Sequence, residues 1–272
     1  MHAATSQLIT YQHEITKETI EVEVLLRGAG PLVVLLPSLG RGAKDFDNLA
    51  SRIAAAGFRT GAINPRGIGR SKGPAAPTLA AYARDVFEVI KALQGGGPLA
   101  KKEPAVLIGH AYGNRLARAV ASHYPEAVAD LILIASGGQV AIPPIVAKAL
   151  FDVFDPTLSP KAHIDAVRTA FFAPGNDPSV WSDGWFGAVA IQQQAALKNS
   201  PIETWGDGGR APIYIIQAAQ DAVAPPANAV ALRTAHPERV EIAILENAGH
   251  AILPEQPEQI ARLVIGRLRR PS

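Results

Sequence analysis

The chain has 272 residues, 48% of them hydrophobic and 18% charged, a composition of ordinary globular proteins that lies outside the disordered and fibrous classes. Its 26 basic and 24 acidic residues leave a formal charge of +2, with no basic stripe to track a nucleic-acid backbone. Cysteine is absent, so disulfides, thiolate nucleophiles and cysteine-ligated zinc or iron–sulfur sites are excluded.

From "QLITYQHEI" through "ETIEVEVLLRG" the residues alternate or are β-branched, which predicts two antiparallel strands joined by a polar turn near Thr16 to Glu18. "PLVVLLP" follows as a continuous apolar run, the pattern of a strand buried on both sheet faces. Runs of the same kind recur at "FRTGAIN", "AVLIGH", "LILIAS", "IYIIQA" and "VEIAIL". Helical spacing lies between them: Leu49, Ile53 and Ala56; Leu79, Tyr82, Val86, Ile90 and Leu93; Leu116, Val120 and Tyr124; Ile260, Leu263, Val264 and Leu268. Alternating strands and helices predict an α/β fold, a mostly parallel sheet with helices on both faces. "QGGGP" at 94–98 reads as a surface loop, and the terminal "RLRR" as a solvated helix end whose cations favour the helix dipole.

One stretch, 137–210, has helical and loop signals and no convincing strand. Pro143, Pro144, Pro156, Pro160, Pro174 and Pro178 divide it into short pieces, while Phe171, Phe172, Trp181, Trp185 and Phe186 concentrate aromatic surface there. It reads as a helical cap inserted into a core made of 1–136 and 211–272, either a mobile lid or a packed subdomain. The length suits a single core with one insertion. The start lacks a basic segment followed by an apolar one, and no apolar run reaches the ~18 residues of a membrane span. A cytoplasmic protein, a monomer or homodimer without nucleic-acid or membrane partners, is the expectation.

The stretch richest in chemistry is "AVLIGHAYGNRLARAVASHYP", read as strand, tight turn, helix. Such a turn presents a nucleophile from strained backbone, with glycines where strand and helix approach too closely for side chains. Gly109 and Gly113 meet that demand, but Ala111 occupies the nucleophile position. With this stretch, "QAAQDAVAPPANA", "NAGHAILPEQPEQI" and "INPRGIGRSKGP", the chain resembles the α/β-hydrolase superfamily over nearly its whole length. The resemblance implies an eight-stranded sheet with a helical cap, Asp221 as the triad acid and His250 as the catalytic histidine. It also implies an oxyanion hole from the backbone N–H groups of Tyr112 and Leu39.

The sequence departs from the family pattern around that site. Ala111 replaces the serine, Pro37-Ser38 stands where His-Gly is usual, Asn114 where a third small residue is common, and Asn64 where an aspartate is usual. Ala111 is accounted for either by natural divergence or by a deliberate exchange of serine. Ser38 is a candidate relocated hydroxyl, and the Tyr112 phenol a candidate proton carrier. His110 reads as a packing residue, and with Ser38, Trp181, Trp185 and Phe186 it completes the candidate pocket. His163 has no partner legible from sequence.

A histidine ordinarily titrates near neutrality, and a buried carboxylate fixes its tautomer, so an Asp221–His250 dyad remains a usable base without the serine. Three functions are compatible. The dyad acts as general base on a small, fairly apolar ester, lactone or ketone; or the chain is a serine esterase or C–C hydrolase with its serine exchanged; or it is a ligand-binding homologue without chemistry. Neither "GAGPLV" nor "GIGRSKG" satisfies G-x-G-x-x-G, and Walker A and H-E-x-x-H patterns are missing, so no cofactor or metal is expected.

Overall fold

The computed structural model describes residues 3–13, 16–95 and 103–270. The apolar runs form strands β1 (Thr5–Gln12), β2 (Thr19–Arg27), β3 (Leu32–Leu36), β4 (Arg59–Ile63), β5 (Ala105–His110), β6 (Val128–Ile134), β7 (Ile213–Ala218) and β8 (Val240–Leu245). They make one sheet in the order β1-β2-β4-β3-β5-β6-β7-β8. β2 is antiparallel to β1 and β4, and β3 to β8 are mutually parallel. The helices are α1 (Asp47–Ala55), α2 (Leu79–Leu93), α3 (Tyr112–His123), α4 (Pro144–Asp152), α5 (Pro160–Phe171), α6 (Gly187–Lys198), α7 (Ala227–Ala235), α8 (Ile252–Glu255) and α9 (Pro257–Leu268).

The unbroken apolar runs follow from burial on both faces. Along β3, Val34 and Leu36 enter one core while Val33 and Leu35 enter the other, and β6 divides Leu131 and Leu133 from Ile132 and Ile134 in the same way. The first core is closed by α2 and α3, the second by α1 and α9. α2 begins where the Thr78 hydroxyl accepts from the Ala81 N–H, satisfying one of the orphan donors of a helix start. β8 differs from expectation: it is the sheet's edge, its side chains are only partly covered and Ile244 is exposed. An apolar run alone does not say whether a second strand flanks it. The "RLRR" end stays on the surface, with Arg267 paired to Asp130 and Glu241, and Arg270 to Glu241. Residues 96–98 of the "QGGGP" stretch lie outside the described residues.

From β3 the chain passes to β4 on one side, whereas β5 lies on the other. Open parallel sheets form their crevice at such a reversal, beyond the carboxyl ends of the strands. Over that end lies the segment between β6 and β7, which contains α4, α5 and α6, with no strand among the described residues. Its prolines act as helix starters: Pro144, Pro160 and Pro178 each open a helix or 3-10 turn, where the missing N–H costs nothing.

Phe171, Phe172 and Trp181 form a third cluster, with Phe154 and Trp185 against it. Arg41, from the loop after β3, pins that cluster to the sheet. Its guanidinium sits 4.4 Å from the ring centres of both Trp181 and Trp185, and donates to both Asp45 carboxyl oxygens and to the Asp183 carbonyl. Gln193 of α6 accepts from the Gly40 N–H at 2.8 Å. These contacts fit a packed subdomain better than a free lid. Among the described residues no helix is long and apolar enough to cross a membrane.

Candidate active site

The turn between β5 and α3 has the geometry its glycines suggested. Ala111 stands at φ 50°, ψ −108°, a region whose occupation by a non-glycine residue costs about 1–3 kcal/mol. A Cβ on Gly113 would lie 2.0 Å from the Leu36 carbonyl oxygen, and one on Gly109 2.3 Å from that of Gly113. Both glycines are therefore demanded by the approach of α3 to β3 and β5, whatever side chain position 111 carries. Asn114 is fully buried; its Nδ2 donates to the Ala135 carbonyl at 3.2 Å and its Oδ1 accepts from Arg118 at 3.4 Å. It has a bonding role that a small residue lacks.

Loops after β7 and β8 bring Asp221 and His250 together. His250 Nδ1 lies 2.9 and 3.0 Å from the two Asp221 carboxyl oxygens, and both residues are buried. Asp221 also accepts from the N–H groups of Val223 (3.0 Å) and Ala224 (2.6 Å) and from Gln217 Nε2 (3.3 Å). This carboxyl group is thus fully engaged and cannot rotate away. Gln217 is held in turn by the Ala224 carbonyl and the Ser136 N–H.

His110 lies beneath the histidine loop, where its Nε2–H donates to the His250 carbonyl at 2.9 Å. Burial is the main cause that lowers its pKa to about 3, so it is neutral at pH 7 and acts as a prop. On the other side Glu255 gathers the N–H groups of Gly249 and Ala173 and the Asn176 amide. Burial raises its pKa.

A cavity of about 190 Å³ opens above Ala111, and Ser38, Leu39, Tyr112, Trp185 and His250 also line it. The other candidates lie elsewhere. His110 is under the floor, Trp181 is at the centre of the aromatic cluster against Arg41 and Phe171, and Phe186 is partly exposed while its N–H donates to the Gly40 carbonyl. Asp221 is behind His250. Leu39 and Tyr112 flank Ala111, and among the described residues neither backbone N–H donates a hydrogen bond; for Tyr112 this follows from its place at the first position of α3. The Tyr112 phenol is buried without a partner among the described residues, and burial pushes its pKa well up.

Asn64, the fourth departure, is not at the cavity. Its Nδ2 donates to Glu23 at 2.9 Å and its Oδ1 accepts from the Ala43 N–H at 2.8 Å. Burial pushes Glu23 up, but hydrogen bonds from Ser6, the Arg70 N–H and Asn64 outweigh it and hold the carboxyl at about 2. An aspartate at position 64 would set a second carboxylate against Glu23, so an amide is the compatible choice.

Sequence reading passed over Gln217 and Arg115. Gln217 left a signal, as the one polar residue in the apolar run "IYIIQA". Arg115 lines the cavity from α3, one turn past Ala111, and left none, because a basic residue early in a helix is ordinarily solvated.

The alpha/beta hydrolase family model matches residues 33–263. A curated relative, 2-(acetamidomethylene)succinate hydrolase of Mesorhizobium japonicum, is 29% identical over 132 residues, 48% of this chain and 44% of the relative. The chain thus spans less than half the length of the curated relatives it matches. A thermophilic esterase from Thermogutta terrifontis, solved with malate, superposes with a TM-score of 0.77 at 21% identity, over 97% of this chain and 98% of that one. A meta-cleavage product hydrolase mutant from Pseudomonas fluorescens, complexed with acetates, gives 0.71 at 17% identity over 92% and 94%. The family model spans well over half of the sequence: the chain belongs to the alpha/beta hydrolase family.

Proposed function

We propose that the protein is a hydrolase-type enzyme for a small ester, lactone or ketone, in which His250 is the general base and no acyl-enzyme forms. The observation that carries this reading is the Asp221–His250 pair, bonded at 2.9 Å at the wall of the cavity that also contains Ala111. A purely ligand-binding protein has no use for an oriented proton acceptor.

With Nδ1–H held by Asp221, His250 Nε2 takes a proton from water as the water oxygen bonds to the substrate carbonyl carbon. The carbonyl electron pair moves onto oxygen, where the N–H groups of Leu39 and Tyr112 stabilise it. Collapse expels the alkoxide, which recovers the proton from His250, leaving acid and alcohol. With a ketone the same base removes an α-proton, the same donors hold the enolate, and return of that proton from His250 to the enolate completes an isomerisation. The strained elbow retains a purpose here, since it aims the Tyr112 N–H.

A second reading is favoured by the same strain: position 111 keeps a nucleophile's backbone, as in a serine esterase or C–C hydrolase whose serine was exchanged. Three measurements decide. A screen of small esters, lactones and ketones by mass spectrometry is expected to find turnover that His250→Gln lowers by about 10²–10⁴; turnover indifferent to that change overturns the proposal. Fluorophosphonate is expected to leave the protein unlabelled, and a label mapped to Ser38 refutes the step without an acyl-enzyme. If Ala111→Ser raises p-nitrophenyl ester hydrolysis by orders of magnitude and becomes labelled, the second reading replaces the first.

A further inference from the structure

We infer that Arg115 anchors a carboxylate of the substrate, so that the cavity selects small organic acids that also carry the reacting carbonyl. This rests on the reading of the cavity as a substrate site and adds the class of molecule it takes.

Each of the other buried or half-buried arginines makes at least one ion pair or hydrogen bond. Arg41 pairs with Asp45, Arg66 with Asp85 and Arg267 with Asp130; Arg118 donates to the carbonyls of Gly206 and Gly137. Arg115 is the exception, with no ion pair or hydrogen bond among the described residues. Its guanidinium lies against Gly137, where an added Cβ would be 3.2 Å from a terminal nitrogen, and both residues line the cavity.

Arg115 is half-buried at the cavity wall, and burial lowers its pKa: the charge is partly desolvated without gaining a counterion. A partly desolvated guanidinium with free donors gains from an arriving anion, and its planar fork fits a carboxylate with two parallel hydrogen bonds. No aspartate or glutamate is among the lining residues, so nothing on the wall competes with or repels that anion. The rest of the lining includes Leu150, Phe154, Phe171, Trp185 and Leu197, an apolar seat for the remainder of the molecule. An apolar cavity of ~150 Å³ accommodates benzene, and about 190 Å³ leaves room for an aromatic ring bearing a carboxylate.

Benzoate and benzamide are therefore suitable probes, equal in shape and different in charge, and calorimetry reads their affinities without any need for turnover. The unaltered protein is expected to bind benzoate roughly 10- to 100-fold more tightly than benzamide, the range for a charge-assisted hydrogen-bonded pair. Arg115→Gln should abolish that preference and Arg115→Lys keep part of it; on a carboxylate substrate Arg115→Gln should raise KM more than it lowers kcat. Equal affinities in the unaltered protein, undetectable benzoate binding at millimolar concentration, or a preference that survives Arg115→Gln would each overturn the assignment. Failure of the His250 mechanism leaves these affinities unchanged, so the two proposals fall separately.

Discussion

Exchanging glycine for alanine at positions 113 and 266 is expected to change stability in opposite directions. At Gly113 the new methyl meets the Leu36 carbonyl oxygen at 2.0 Å, its carbon at 2.6 Å and the Pro37 oxygen at 2.8 Å. All three are backbone atoms, and β3 is held between β4 and β5 by parallel ladders, so they cannot swing aside as a side chain would. Reaching ordinary contact requires α3 to retreat by more than 1 Å from a core in which Leu116, Ala117 and Val120 are already packed. Overpacking costs about 1–3 kcal/mol when side chains absorb it; with backbone on both sides the expected cost is at least about 3 kcal/mol, a fall in Tm of roughly 6–12 °C for a chain of this size. At Gly266, on α9, an added Cβ meets nothing within 4 Å, and replacing a helix-interior glycine should stabilise by about 0.5–1 kcal/mol. Calorimetry and urea unfolding of both variants, against the parent, provide the comparison. A Gly113→Ala protein melting within about 2 °C of the parent would refute the claim that packing fixes this glycine.

Three further outcomes follow from the site and its supports. His110 is held neutral, its pKa lowered to about 3, so the unfolded chain binds the extra proton below pH 6.5: stability is full above pH 7 and falls as pH drops, by about 2 kcal/mol at pH 5 from this group. Urea unfolding from pH 8 to 4 should show a shallower acid slope in His110→Leu; parallel slopes would exclude His110 as the source. In Asp221→Asn the new amide faces His250 Nδ1 and drives the proton onto Nε2, removing the base while the Val223 and Ala224 contacts persist; kcat should fall about 10²–10⁴-fold with Tm nearly unchanged. Arg41→Met strands the Asp45 carboxylate and releases Trp181 and Trp185, a loss of about 3 kcal/mol, and limited proteolysis should then cut the α4–α6 segment first.

Strand periods made the sheet legible, because a parallel sheet covered on both faces writes itself as unbroken apolar runs: Val33 to Leu36 serve two cores in alternation. β8 misled for the same reason in reverse, since Ile242 and Ile244 resemble central residues but have no outer neighbour. The loops carrying Ala111, Asp221 and His250 were legible from the resemblance. Their common cavity was not, because it depends on where α4 to α6 settle, and Trp181, Trp185 and Phe186 are equivalent as aromatics in the sequence. Only Trp185 reaches the cavity; Trp181 is taken by Arg41 and Phe171. Arg115 was illegible for an electrostatic reason: its peculiarity is a partner it lacks, and absence of a counterion is a property of three dimensions.

The elbow's persistence without a hydroxyl has a physical reason in its several duties. A side chain without a hydroxyl at 111 leaves the α3–β3 contact, which Gly113 and Gly109 make possible, and leaves the unbonded first N–H of α3 on Tyr112, a residue of the cavity lining. Relaxing Ala111 out of its strained backbone would recover about 1–3 kcal/mol, yet it would turn that N–H away and part α3 from the sheet. Strain of this size endures where surrounding packing over-determines it. Here the surrounding groups include the Asp221-bound imidazole of His250 and the unpaired guanidinium of Arg115, so under the proposed function the retained geometry keeps an oxyanion donor between base and anion anchor, a combination that would serve a carboxylate substrate attacked by water as readily as one attacked by serine.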